Sequence, residues 1–214
     1  MIYAVGDIHG MFRKLVTLIE RIQDDASPSD DNTIVFLGDY IDRGPDSRRV
    51  LELIASEPLE GFKHVFLKGN HEDMMINAMD GDSRALNGWI SNGGADTMKC
   101  FEGAPDLLLE QWTSWMRGLP YHYEQDGYLF VHAGIDPGVP LLLQNPSDLL
   151  WIREKFTESD ADHGFKKVVH GHTPVDRPEI LSNRINIDTG ACYAGGTLTA
   201  IKISQTGDTD WLQV

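Results

Sequence analysis

The stretch Gly38-Asp39-Tyr40-Ile41-Asp42-Arg43-Gly44 sets two carboxylates and a guanidinium within a few residues, directly after the apolar run Thr33-Ile34-Val35-Phe36-Leu37. Such a run reads as a buried strand, and the flanking glycines let the backbone turn sharply where it ends. Carboxylates at the end of a buried strand are costly unless a positive charge compensates them. A metal ion would do so, and Arg43 could then hold a bound phosphate. The arrangement recurs along the chain. Gly6-Asp7-Ile8-His9-Gly10 follows Ile2-Tyr3-Ala4-Val5, and Lys68-Gly69-Asn70-His71-Glu72 follows His64-Val65-Phe66-Leu67. His132-Ala133-Gly134 follows Tyr128 to Val131, and His170-Gly171-His172-Thr173-Pro174 follows Lys167-Val168-Val169.

These strand ends supply Asp7, His9, Asp39, Asn70, His132 and His172, all oxygen or imidazole donors with no thiolate among them. That set suits Mn, Fe or Zn in a catalytic role better than a structural zinc site. The expected arrangement is two adjacent divalent ions bridged by Asp39. Asp7 and His9 complete the first ion, and Asn70, His132 and His172 the second. Two metals ~3.5–4 Å apart share a hydroxide and clamp both the attacking and the leaving oxygen of an in-line phosphoryl transfer. They also acidify the water, so no protein base is required. Arg43 can neutralise the phosphoryl oxygens bidentately. His71, beside Asn70, is placed to protonate the leaving oxygen, with Asp42 orienting it.

Taken singly these motifs are weak. A Gly-Asp pair often only makes a turn, and a lone histidine is more often structural than catalytic. Three of them in order, each after a short apolar strand, point to a metal site. His170 stays open between a supporting role and mere adjacency to His172. His64, His122 and His163 read as surface or packing residues, and Asp24, Asp25, Asp30 and Asp31 as a solvated loop. Trp89, Trp112 and Trp115, with the methionines between Met74 and Met116, read as core.

Around these motifs the first third alternates strand, ionisable loop and helix three times. Phe12, Leu15, Val16, Ile19 and Ile22 recur at helical spacing, and Val50, Leu51, Leu53 and Ile54 form a second inner face. Such alternation predicts a parallel sheet with its chemistry at the carboxyl ends of the strands. A polar loop from Asp24 to Asn32, containing Pro28, separates the first helix from the second strand. Residues from about Glu72 to Pro120 read as mostly helical, broken at Asn92-Gly93-Gly94. From Tyr121 the chain turns β-rich: an Asp126-Gly127 hairpin, Lys167 to Val169, Arg184 to Ile187, and Thr197 to Ile203 as a closing strand. No repeat or linker is visible, so residues 1–214 read as one α/β domain.

The formal net charge of -15 argues against general nucleic-acid or anionic-membrane binding. Met1 leads straight into a strand pattern without a signal-peptide profile, and no apolar run approaches a membrane span. The two cysteines, Cys100 and Cys192, have no metal or redox spacing. A cytoplasmic monomer is the reading.

At its three leading motifs the sequence resembles the metallophosphoesterases, and within them the PPP-type serine/threonine protein phosphatases of the bacterial and bacteriophage lambda branch. The likeness extends through Trp89-Ile90-Ser91-Asn92-Gly93-Gly94, His132-Ala133, Leu150-Trp151-Ile152-Arg153-Glu154, Gly171-His172-Thr173-Pro174 and Ile187-Asp188-Thr189-Gly190-Ala191. It implies a four-layer αββα sandwich with a dinuclear site at one edge, the ligand set above, and Arg153 as a second phosphate-binding arginine. Lys68 stands where the family usually has arginine, replacing a rigid fork by a point charge. The regions that carry regulatory and toxin-binding loops elsewhere are short or different here, so the resemblance does not extend to a regulatory subunit. The expected function is a Mn-dependent phosphomonoesterase acting on phosphoserine and phosphothreonine, and on phosphotyrosine as an extension, in protein or peptide substrates. The alternatives are a symmetrical dinucleoside tetraphosphate hydrolase, disfavoured by the intact Asp42-Arg43-Gly44 and by Glu72, and a non-catalytic metal-binding scaffold.

Overall fold

A strand covered on both faces must be apolar at nearly every position, and Ile2–Val5, buried throughout, meets that condition. In a computed structural model, which describes residues 1–27, 31–81 and 83–214, β1 spans Ile2–Val5, β2 Asn32–Phe36 and β3 Phe62–Phe66. They are followed by β4 (His122–Gln125), β5 (Tyr128–Val131), β6 (Lys167–His170) and β7 (Glu179–Ile180). The last three are β8 (Arg184–Asn186), β9 (Thr199–Ile203) and β10 (Thr209–Gln213). Two five-stranded sheets result, ordered β10-β9-β1-β2-β3 and β4-β5-β6-β8-β7. β1, β2 and β3 pair in parallel, as do β5, β6 and β8.

The helices are α1 (Phe12–Asp25), α2 (Ser47–Ala55), α3 (Asn70–Met79), α4 (Ser83–Trp89), α5 (Ala95–Cys100), α6 (Asp106–Arg117), α7 (Pro146–Trp151) and α8 (Glu154–Thr157). Alternation along the strands decides how they layer. Ile2, Ala4 and Val35 of one sheet meet Phe130, Val169 and Ile185 of the other in a core between the sheets. Tyr3, Val5, Ile34 and Phe36 face outward onto Leu15, Leu18 and Ile22 of α1, Val50 and Ile54 of α2 and Met75 of α3. On the far side Leu129, Val131 and Val168 pack against Leu149 of α7 and Phe156 of α8. The order helix, sheet, sheet, helix is the expected αββα sandwich. Among the described residues no helix is long and apolar enough to cross a membrane.

Several details differ from expectation. The second half is not simply β-rich, because its core strands β5, β6 and β8 are parallel and α7 lies between β5 and β6. Helices of six and four residues, α7 and α8, are too short to show a helical period in sequence. Thr199–Ile203 does not close the chain, since β10 pairs antiparallel with it and forms the sheet edge. The break at Asn92-Gly93-Gly94 is a π-helical turn over Ile90–Gly94, with Gly93 at φ 108°. The expected acidic loop is corrected too: α1 runs through Asp24 and Asp25, so of the four acids only Asp31 is a described residue beyond it. Pro28 and Asp30 lie outside the described residues.

Asp25, though exposed, is moreover paired. Its carboxylate accepts from the Tyr3 hydroxyl at 2.6 Å and from Lys202 Nζ at 2.7 Å, tying α1 to β1 and β9. Partial burial opposes its charge, but the hydrogen bonds from Lys202 and Tyr3 win and hold it below the usual carboxylate range. A depressed pKa stabilises the fold above the unfolded value and loses that contribution as pH falls through the folded one. Asp25→Asn is therefore expected to lower unfolding free energy by about 1 kcal/mol near neutral pH. Urea unfolding at a series of pH values should show the gap closing as pH falls through the acid range.

Candidate functional site

The carboxyl ends of the parallel strands from both sheets meet at one edge of the sandwich. His132, after β5, reaches across to the first sheet, where its Nδ1 lies 3.0 Å from the Leu37 carbonyl oxygen. His172, after β6, donates its backbone N–H to Asp7 Oδ2 at 3.1 Å. Asn70 and His71 occupy the first turn of α3, where β3 ends.

Asp39 stands between the histidines. Its Oδ2 lies 3.4 Å from His9 Nε2 and 3.9 Å from His71 Nε2, and its Oδ1 lies 3.5 Å from His132 Nε2. Two groups of candidate metal ligands follow, His9, Asp39 and His71, and Asp39, His132 and His172, with ligand atoms in each within 4.8 Å of one another. Asn70 belongs with the second group, since its Oδ1 is 2.8 Å from His132 Nε2 and 2.9 Å from His172 Nδ1. Asp7 joins neither tight group. Its carboxylate takes the His172 amide, and burial first and the neighbouring Asp188 charge second push it above the usual carboxylate range. The place next to His9 and Asp39 is filled instead by His71, and Arg43 Nη1 sits 2.7 Å from His9 Nε2.

The donor set suits cations on physical grounds. His9 and His132 each place Nδ1 against a backbone carbonyl, Ile41 at 2.9 Å and Leu37 at 3.0 Å. Donation there fixes the tautomer and leaves an Nε2 lone pair facing Asp39 or Asn70. On His132 that lone pair meets the Asn70 carbonyl oxygen, two acceptors with no proton between them, and His172 Nε2 is buried without any partner. Burial pushes Asp7 and Asp39 well above the usual carboxylate range. Burial likewise pushes His9 and His132 well below the usual imidazole range. A divalent cation reverses both preferences, because it favours charged carboxylate and neutral imidazole together.

The backbone is distorted to make this convergence. Among the described residues, the non-glycine positions at positive φ are Glu57 and Asp126 in turns, and His9, Asp39, Asp42, Arg43 and His172 in the site. Such conformations cost energy and persist only where surroundings enforce them. Glu72 is one enforcer. Fully buried in α3, it accepts from Asp39 N at 2.8 Å, Tyr40 N at 2.9 Å and Gly69 N at 2.9 Å. Desolvation raises its pKa to about 7, with those three amides pulling the other way. Gly69 is the other requirement: a Cβ there would overlap the Asp39 carboxylate and amide.

His71 Nδ1 lies 2.7 Å from Asp42 Oδ2, both buried. Burial, aided by the Arg43 charge, lowers His71 to about 3. Burial also raises Asp42 to about 7 against hydrogen bonds from Thr97 and Trp89. Both directions favour uncharged partners over a separated ion pair. Arg43 and Arg153 are exposed at the rim, Arg153 with Nη1 3.4 Å from the Thr173 hydroxyl. Lys68 points elsewhere, toward the Arg117 carbonyl at 3.3 Å and the Tyr121 ring at 4.9 Å. The departure from arginine there thus falls on a packing contact. His170 lies edge-on to Phe156 in the outer helical layer, at 5.0 Å. Two residues carry more than the sequence reading gave them. Glu72 appeared only as part of a motif, and Asp188 ends β8 just as Asp7 ends β1, so its strand-end position was the available signal.

The profile of the calcineurin-like phosphoesterases matches residues 1–211. Serine/threonine-protein phosphatase 1 of Salmonella typhimurium is 33% identical over 215 residues, covering 94% of this chain and 91% of that protein. The asymmetrical bis(5'-nucleosyl)-tetraphosphatase PrpE of Anoxybacillus flavithermus is 30% identical over 224 residues, covering 94% and 90%. A solved structure of a provisionally assigned diadenosine tetraphosphatase superposes with a TM-score of 0.70 at 20% identity, covering 99% of this chain and 92% of the other. That last likeness concerns the fold. The dinucleotide-cleaving relative is of the asymmetrical type, whereas the alternative weighed from the sequence was the symmetrical one.

Glu72→Gln keeps the shape of the side chain but turns an amide N–H toward backbone N–H groups. The expected cost is about 1–3 kcal/mol of folding free energy, read as a lower midpoint in denaturant unfolding with the slope unchanged.

Proposed function

This chain belongs to the calcineurin-like phosphoesterase family, and from that premise we propose that it is a metal-dependent phosphomonoesterase acting on phosphoserine and phosphothreonine in proteins, with phosphotyrosine a further substrate. The observation that carries the reading is Asp39, set between two groups of candidate ligands with the His71–Asp42 pair alongside. His9, Asp39 and Asp7 would hold one divalent ion, and Asp39, Asn70, His132 and His172 a second, Mn being the metal expected. Bound there, the ions supply Lewis acidity that activates water and offsets phosphoryl charge.

The chain's own groups do the rest. Arg43 and Arg153, exposed above buried ligand atoms, receive the phosphoryl oxygens of a group presented from outside. The Asn70 amide adds a polar contact to the same oxygens. An anionic phosphate arriving beside His71 raises its proton affinity and makes it a competent donor to the leaving oxygen. Asp42 holds the ring at Nδ1, so Nε2 is the atom that delivers the proton.

The intact Asp42-Arg43-Gly44 and Glu72, together with the serine/threonine phosphatase relative, support a phosphoprotein substrate. A second reading, asymmetrical hydrolysis of dinucleoside tetraphosphates, is favoured by the PrpE relative. Metal-stripped protein, assayed with and without Mn²⁺ on phosphoserine and phosphothreonine peptides and on diadenosine tetraphosphate, separates them. Mn-dependent phosphate release from the peptides alone is expected. Preference for the dinucleotide would overturn the substrate assignment, and silence on both with metal bound would favour a scaffold. His71→Asn should cut turnover about 10²–10⁴-fold with bound metal unchanged. Asp39→Asn should lose metal and activity together, as read by elemental analysis beside the assay. Full activity in either variant would remove that residue from its role.

A further inference from the structure

The Asp42 carboxylate is completely buried, yet it is not held by His71 alone. The Trp89 indole N–H reaches both of its oxygens, at 2.8 Å to Oδ2 and 3.1 Å to Oδ1. The Thr97 hydroxyl donates to Oδ1 at 2.6 Å. Thr97 Oγ1 also accepts the Asp42 backbone N–H at 2.9 Å, so one residue grips both the main chain and the side chain of a residue at φ 73°. Trp89 and Thr97 are themselves fully buried. With Oδ1 taken by the hydroxyl and the indole bridging the pair, Oδ2 is left aimed at His71 Nδ1, 2.7 Å away.

The segment carrying these donors is shaped for the purpose. Trp89 ends α4 and Thr97 lies in α5, and the π-helical turn of residues 90–94 joins them. Any side chain on Gly94 would collide with the indole ring, and the Gly93 carbonyl oxygen accepts the Arg43 backbone N–H at 3.3 Å. A widened turn of this kind costs helix geometry and recurs where function demands it. A tryptophan chosen only for bulk would not need its N–H on a carboxylate. The threonine, likewise, could be valine if only volume mattered.

We propose that Trp89 and Thr97 are positioning residues for proton transfer: through Asp42 they fix the tautomer and orientation of His71. This rests on the reading of His71 as proton donor. Their side-chain hydrogen bonds go to Asp42 and, from Thr97, to Ser47, so their effect should scale with how much the leaving oxygen needs a proton.

The test compares Mn²⁺-loaded wild type, Thr97→Val, Thr97→Ser and Trp89→Phe on phenyl phosphate, a poor leaving group, and 4-nitrophenyl phosphate, a good one. Thr97→Val and Trp89→Phe are each expected to lower kcat on phenyl phosphate about tenfold or more, within the range general acid catalysis supplies. On 4-nitrophenyl phosphate the change should be small, with KM and metal content near wild type on both. Thr97→Ser, which keeps the hydroxyl, should restore the phenyl phosphate rate. In the His71→Asn background, Thr97→Val should cost little more, because the group it positions is gone. Equal losses on the two esters, or full activity of both variants, would overturn the proposal. His71→Asn run alone separates the premise: if it shows no leaving-group dependence, the proton-donor reading falls and takes the positioning role with it. If His71→Asn discriminates and the Trp89 and Thr97 variants do not, only the positioning role falls.

Discussion

Asp39 is a carboxylate almost cut off from water, on a residue twisted to φ 52°, and much of the molecule serves to keep it there. An uncompensated charge in that position would neutralise itself or move. Glu72 holds the backbone of the turn, Gly69 leaves room for the carboxyl group, and the His71 amide donates to its Oδ1 at 3.0 Å. What remains is an excess of negative charge and imidazole lone pairs around one group. That excess is only stable in the company of cations, which is why a site assembled this way reads as a metal site before any ion is considered.

The two-sheet architecture makes such crowding possible. A single open sheet offers ligands from one row of strand ends, all on the same loop layer. Here a second row faces the first across a largely apolar core, and His132 and His172 reach over from it to Asn70 and Leu37. The hydrophobic contacts between Ile2, Ala4, Val35, Phe130, Val169 and Ile185 therefore set the spacing of groups that never touch that core. Small changes in sheet separation would be felt directly as changes in ligand geometry, since packed interiors transmit displacement rather than absorb it. The strained residues sit at the strand ends, where the rigid sheets can enforce them.

Much of this was legible in the sequence because the chemistry sits where the pattern changes. Each of Asp7, Asp39, Asn70, His132 and His172 follows an apolar run, and period-two and helical spacing locate those runs well. What stayed hidden was hidden for physical reasons. α7 and α8 are too short to declare a period, and β10 is an edge strand with half-exposed residues. The convergence of His71 with His9 and Asp39, and the turn of Asp7 toward His172 and Asp188, depends on side-chain directions that spacing does not carry. Trp89 read as a packing anchor because burial and hydrogen bonding look alike in a sequence. Its indole is indeed in the core, but it is the fold that brings its N–H onto Asp42.

The buried floor and the exposed rim carry different information. The floor is over-determined: carboxylates, imidazoles, strained backbone and close glycines constrain one another, so it suits hydrolysis at a phosphorus centre, of an ester or an anhydride alike, whatever the leaving group bears. The rim is not. Arg43 and Arg153 are exposed, and Trp151 stands edge-on to His172 at 5.9 Å while remaining 42% accessible. Groups of that kind can meet a peptide or a nucleoside without altering anything beneath them, and relatives of this chain are indeed named for different substrates. Substrate choice must therefore be decided by contacts outside the ligand shell, where a binding difference of about 1.4 kcal/mol already amounts to a tenfold preference.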